Sequence, residues 1–228
     1  MTKNIVLTSL FSLIAFVTIN AQNAAGLRVG STWNNVTSKD LSGTIDFKTM
    51  SSPSFGAFYE LDLGHNFSVQ PEINYNEKGF KSDIGKDFTL FGVNLPVGAN
   101  AVTVIKYVDV PVLAKYKFGN TEGVHAYVMA GPSLGYAMNG TIDTRAKVLI
   151  DFKIASTPID LTSNNYKRLE VAGVIGGGVE MPIGDKAKLF ADVRYSKSLM
   201  DVYELPLTGS RLRNQGFGVG VGFAINLK

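Results

Sequence analysis

Along most of this chain apolar and polar residues alternate one for one, the period that sends successive side chains to opposite faces of a β-strand. Eight stretches carry the pattern, at about 25–34, 54–63, 66–80, 102–118, 124–139, 166–182, 187–201 and 214–227. The last is the clearest. Phe217, Val219, Val221, Phe223, Ile225 and Leu227 share one face, while Gly216, Gly218, Gly220, Gly222, Ala224 and Asn226 share the other. Elsewhere the second face is polar or charged: Phe67, Val69, Ile73 and Tyr75 oppose Ser68, Gln70, Glu72 and Asn74, and Leu189, Ala191, Val193 and Tyr195 oppose Asp192 and Arg194. Ten such residues at about 3.3 Å each, tilted by about 40°, span about 25 Å, the height of the apolar band of a membrane barrel.

The connections alternate in length as well. Short ones, each with glycine, fall at 64–65, 119–123 and 183–186; long ones fall at 35–53, 81–101, 140–165 and 202–213. Both chain ends then lie on the short-turn side, the asymmetry of outer-membrane barrels with short periplasmic turns and longer extracellular loops. Alternation alone also permits the inverse arrangement, apolar side chains inside and charges in water. The aromatic residues decide between the two. On the apolar faces Trp33, Phe55, Tyr75, Tyr136, Tyr195 and Phe217 gather near the long loops, and Phe67, Tyr116, Phe118 and Phe223 near the short turns. Two rings of this kind are the girdles of a membrane barrel, whereas a soluble barrel carries its large side chains at mid-strand. The expected fold is an all-β, eight-stranded antiparallel up-and-down transmembrane β-barrel.

Composition narrows the setting. The chain opens with Lys3, an uncharged apolar stretch over 5–19 and small residues up to Ala21, which predicts a signal peptide at 1–21 and a barrel domain at 22–228. No later stretch is long and apolar enough for a spanning helix. The absence of cysteine excludes a lipid-bearing Cys, disulfides and thiolate metal sites. With 22 basic and 19 acidic residues dispersed along the chain, no electrostatic footprint for nucleic acid appears.

Six segments resemble the PorT-like outer-membrane β-barrel family (outer membrane protein beta-barrel domain): PEINYNEKGF (71–80), YVDVPVLAKYKF (107–118), AYVMAGPSLGYAM (126–138), VIGGGVEMPIG (174–184), LFADVRYSKSL (189–199) and GFGVGVGFAINL (216–227). The resemblance implies an eight-stranded barrel in the outer membrane of a Gram-negative bacterium, with some members linked to type IX secretion, and brings no catalytic motif with it.

An eight-stranded barrel is filled by its own side chains, which disfavours a diffusion pore. The expected lumen charges are Arg28, Glu60, Asp62, Glu72, Asp109, Lys115, Lys117, Glu180, Asp192 and Arg194, of both signs. Buried charges persist only when paired, so they are expected to form a self-neutralising network. A lipid-modifying enzyme is the alternative least supported. The two histidines, His65 and His125, fall at short turns as solvated residues, the wrong end for outer-leaflet chemistry, and carboxylates such as Glu60 and Asp62 have no recognisable nucleophile beside them. The alternate glycines after Gly216 do not open a helix, so they are no dinucleotide loop and instead thin the barrel wall. No catalytic residue, metal or cofactor is expected. Among the long loops, Phe88, Leu90, Phe91, Val93 and Leu95 are too apolar for an inert solvated segment. They either form a hairpin above the membrane or dock a partner; the hairpin is favoured because 148–155 also alternates and can pair beside it. The terminal Phe223-Ala224-Ile225-Asn226-Leu227 resembles the signal read by the barrel assembly machinery, with Lys228 in place of the usual aromatic. The expected partners are outer-membrane lipid, that machinery during biogenesis and an envelope protein, in a structural, adhesion or partner-binding role or as an accessory of a secretion or transport assembly.

Overall fold

The alternating stretches form eight long strands: β1 (Asn23–Ser38), β2 (Met50–Gly64), β3 (Phe67–Asp83), β4 (Asn100–Lys117), β5 (His125–Lys147), β6 (Leu169–Ile183), β7 (Ala187–Ser198) and β8 (Arg211–Leu227). In this computed structural model the described residues are 23–38, 47–83, 88–90, 93–95, 100–147, 151–162, 166–204 and 211–227. The expected signal peptide and Phe91 lie outside them. Each strand pairs antiparallel with the next in sequence, and β1 pairs with β8 from Asn23 opposite Leu227 to Ser38 opposite Leu212, so the sheet closes on itself. Closure leaves no unpaired edge around the bilayer-spanning part, which is what a strand needs where water cannot satisfy its backbone. The β2–β3 turn is a two-residue hairpin in which His65 and Asn66 have φ of 54° and 66°, the left-handed pair that matches the twist of the flanking strands.

The apolar face points outward. Leu27, Val29, Ile73, Val110, Leu134, Ile175, Val193 and Val221 are between 41% and 64% exposed, while Glu60, Glu72 and Asp192 are at most 4% exposed. All ten girdle residues lie on that outer face, with Phe67 against Tyr116 at 4.7 Å between ring centroids and Trp33 against Phe217 at 6.1 Å.

Beyond the upper girdle several strands continue. β5 runs for 23 residues, and its end pairs with a strand at Asp151–Ile159, Gly140 opposite Ile159. The described part of 148–155, from Asp151 onward, therefore folds back on β5, the strand that leads into it, and among the described residues it does not pair beside the 81–101 loop as expected. The 81–101 loop carries a separate two-stranded hairpin, Phe88–Leu90 with Val93–Leu95. The side chains of Phe88, Leu90, Val93 and Leu95 fall outside the described residues. Above the girdle the inside-out pattern reverses. Val36, Phe80, Ile105, Tyr107, Ile142, Ile159, Tyr166 and Leu212 face inward and form a buried cluster. The reason is physical: here water, not lipid, surrounds the strands, so burial of apolar area drives those side chains inward.

Candidate functional site

Side chains on the even face of β7 and their counterparts on other strands fill the lumen as three charge groups. Near the short turns, Glu60 of β2 accepts from Lys117 Nζ at 2.5 Å, Lys188 Nζ at 2.6 Å and Lys115 Nζ at 3.1 Å. Lys115 also pairs with Glu180, whose second oxygen lies 3.1 Å from His125 Nε2. Gln70 joins this group to the next, donating to Glu72 Oε1 at 2.6 Å.

The middle group is centred on Asp192. Arg28 donates to it through Nε at 3.0 Å and Nη2 at 2.7 Å, Arg194 through Nε at 3.1 Å and Nη2 at 2.9 Å, and Tyr127 Oη at 3.5 Å. Arg194 then reaches across the bore from β7 to Glu72 on β3 at 2.7 Å. Each guanidinium thus closes on its own oxygen of the carboxylate, Arg28 on Oδ1 and Arg194 on Oδ2, through charge-assisted hydrogen bonds.

The third group lies toward the long loops. Lys78 bonds Asp109 at 2.8 Å and Glu170 at 3.2 Å, and its ammonium stands 4.3 Å from the centre of the Tyr107 ring. Asn76 and Asn214 donate to those carboxylates at 2.7 and 3.0 Å. Tyr107 and Tyr166 share a hydrogen bond above them.

Taken together, the six cations Arg28, Lys78, Lys115, Lys117, Lys188 and Arg194 meet the six anions Glu60, Glu72, Asp109, Glu170, Glu180 and Asp192. The network is neutral overall, yet graded along the axis. The short-turn group carries one excess positive charge and the long-loop group one excess negative charge. Apolar side chains pack in the remaining bore, with Phe58 edge-on to Phe190 at 5.4 Å and Leu113 wholly buried. What is left between the middle and upper groups is a cavity of about 80 Å³, lined by Arg28, Asn34, Ser54, Asn76, Lys78 and Arg194 among others, with room for several waters. An open vestibule of about 660 Å³ lies at the short-turn mouth, lined by Asp62, His65, Lys117, His125, Glu180 and Lys188.

The glycines of β8 make this filling possible. A Cβ on Gly220 would overlap the Arg28 guanidinium, and one on Gly222 would overlap the Phe190 ring. The bare face is therefore covered by side chains reaching over it from β1 and β7.

Nine of the ten residues expected in the lumen are brought into the network. Asp62 is the exception and a correction: it is half-exposed at the turn, where its Oδ1 accepts from Gly64 N at 2.7 Å. His125 is a second correction. It is 7% exposed and held between Gly123 O and Glu180, because its register opposite Glu180 on β6 places it inside the mouth; His65 is exposed as expected. Lys78, Glu170 and Lys188 were not anticipated. Each shares the parity of a recognised lumen residue on its own strand, Glu72, Glu180 and Asp192 respectively, and that parity was the available signal. Glu60 and Asp62 do not form an acid–base pair, since Glu60 is committed to three ammonium groups. Among the described residues no group of three or more His, Cys, Asp or Glu is placed to hold a metal ion.

Above the hydrocarbon layer, Arg213 donates to Asp201 at 2.6 Å and holds that carboxyl below the usual range. This bond ties the β7–β8 loop to the upper end of β8.

Residues 20–204 match the family model described as outer membrane protein beta-barrel domain. No curated protein matches the chain. Among solved structures it is similar to the outer membrane protease OmpT from Escherichia coli, at 9% identity and a TM-score of 0.51 over 92% of this chain and 98% of that one. It is also similar to Neisserial surface protein A (14% identity, TM-score 0.47, 90% of this chain and 99% of that one). For OprG from Pseudomonas aeruginosa the figures are 11% identity and a TM-score of 0.44 over 91% of this chain and 97% of that one. At such identities the likeness to OmpT concerns the fold alone.

Proposed function

The chain belongs to the outer membrane protein beta-barrel domain family, and on that footing we propose that it is a closed, non-conducting anchor in the outer membrane whose role is to bind an envelope or extracellular partner above the bilayer. The observation that carries this reading is the division of labour along the axis. Ion pairs between strands far apart around the ring, Arg194 with Glu72 and Lys188 with Glu60, block the bore. Above the girdle, by contrast, the strands continue into a packed sheet whose last member, Asp151–Ile159, pairs on one side only among the described residues. An unpaired strand edge presents backbone donors and acceptors to an incoming segment.

Two measurements test this. In planar bilayers the folded chain is expected to give no unitary conductance steps; regular open-channel steps contradict the plugged bore. Replacing 141–158 by a two-residue Asn-Gly turn is expected to leave the unboiled gel mobility of the barrel unchanged while abolishing co-purification of its partner after mild detergent extraction. A partner retained in full by the shortened chain contradicts binding through this sheet.

The six PorT-like segments support a second reading, an accessory component of a secretion or transport assembly. It differs in its expected yield: several components of one assembly in fixed stoichiometry with the full chain, rather than a single partner held through the loop sheet.

A further inference from the structure

On the outer surface of β1, β7 and β8 the register lines up a ladder of side chains. Tyr195, Phe217 and Trp33 stand at one level, Tyr195 opposite Phe217 and Phe217 opposite Trp33. The next outward level holds Lys197, Gln215 and Asn35, and the one above it Arg213 opposite Thr37. Aromatic rings mark the boundary between hydrocarbon and headgroups. Two residues further along a tilted strand is about 5 Å higher, which falls within the headgroup layer of about 5–7 Å on each side of the hydrocarbon.

The chemistry of that level is cationic. Lys197 is exposed and makes no hydrogen bond or ion pair among the described residues. Arg213 and Arg211 stand above it, sharing the single carboxylate of Asp201 at 2.6 and 3.9 Å. Farther round, Arg168 lies 4.8 Å from the centre of the Tyr136 ring. The opposite rim has the other sign, with Asp62, Glu122 and Asp185 against Lys186.

A second observation lies directly below this ladder. The same strands, with β6, form an open apolar groove of about 660 Å³ on the lipid-facing wall, lined by Val29, Gly177, Ala191, Val193, Val219 and Val221. The groove exists because Gly177 and Ala191 put small groups where their outward neighbours are branched. It has the shape and polarity of a seat for acyl chains.

We propose that this face is a binding site for a phosphorylated, acylated lipid of the outer leaflet, its phosphate held by Lys197 and Arg213 and its chains in the groove between Val29 and Val193. The inference rests on the membrane reading above, which places the long-loop end in the outer leaflet. Apolar contact along the groove fixes the lipid against the wall, and the ammonium and guanidinium above it select an anionic headgroup over a neutral one.

The test uses the mature chain refolded in detergent, with bisphosphorylated lipid A as probe. The chain is expected to bind it more tightly than its dephosphorylated form. Lys197→Gln with Arg213→Gln is expected to weaken binding about five-fold for each charge removed while leaving the dephosphorylated probe unaffected. Ala191→Trp, which fills the groove, should weaken both probes. Lys186→Gln on the opposite rim should change nothing. Equal affinity for the two probes, or a double variant that binds like the unaltered chain, overturns the proposal. Displacement of the lipid by millimolar inorganic phosphate also overturns it, since the site would then be one for free anions. Failure of the membrane reading itself looks different: no variant, nor the unaltered chain, would then insert into lipid vesicles or show a folded band on unboiled gels.

Discussion

Asp192→Ala is expected to destabilise the folded barrel by about 3–5 kcal/mol, the usual cost of removing one partner from a buried ion pair and leaving the other charged. The expectation follows from what converges on that carboxylate. Arg28, Arg194 and Tyr127 all donate to it, and its side chain is fully shielded from solvent. Without it Arg194 keeps Glu72, while Arg28 is left with the Ser54 hydroxyl at 3.4 Å and no carboxylate partner among the described residues. Urea titration in lipid vesicles, read by the loss of the fast-migrating band, measures the effect. Asp192→Asn should cost less, because it keeps a hydrogen-bond acceptor. Arg28→Met combined with Asp192→Leu should recover much of the loss, since it removes both charges together. A midpoint for Asp192→Ala equal to that of the unaltered chain would show that the network is ornamental.

Val221→Arg, on the opposite face of the neighbouring strand, is expected to cost about 2–4 kcal/mol, the figure for a cation at the midplane of a barrel's lipid face. Val221 is 57% exposed, opposite Val29 on one side and Ala191 on the other, and lies between the rings of Phe217 and Phe223. The penalty should fade with depth. Leu227→Arg, beyond the lower ring, is expected to cost about 0–1 kcal/mol. That gradient, from the same unfolding titration, separates a lipid-facing wall from a protein core. A core would penalise Val221→Arg without regard to the distance of the site from a bilayer boundary.

The eight strands were legible because they depend on a period of two, a local property of the chain, and the outward direction of their apolar faces because the aromatic residues gather at the strand ends. Strand ends were legible only where turn chemistry marks them. At 64–66 it does. At the upper ends of β3, β4 and β5 it does not, since the strands simply pass from lipid into water and the pattern changes sense without a break. Ile105 and Lys106 illustrate this. By the membrane rule the isoleucine belongs outside and the lysine inside, yet above the girdle Ile105 is buried and Lys106 is partly exposed. Nothing local signals the altitude at which the rule reverses.

The lumen network was partly legible for the same reason. Parity identifies Glu72, Asp192 and Arg194, and would have identified Lys188 and Glu170. It does not say which charges meet, because Arg194 with Glu72 and Lys78 with Glu170 are contacts across the bore set by the stagger of the whole barrel. His125 was misplaced because a residue beside a turn is solvated only if its side chain leaves the mouth, and register with Glu180 turns it inward.

Absence of cysteine makes the orientation of the wall directly measurable, since any single Cys introduced can be labelled alone. Spin labels at Ala126, Val128, Ala130 and Leu134 of β5 should be accessible to oxygen dissolved in the lipid and shielded from a water-soluble nickel chelate. Labels at Met129 and Ser133 should be shielded from oxygen. Oxygen accessibility that peaks at 129 and 133, or that shows no alternation along β5, would contradict a barrel whose apolar face lies in the bilayer.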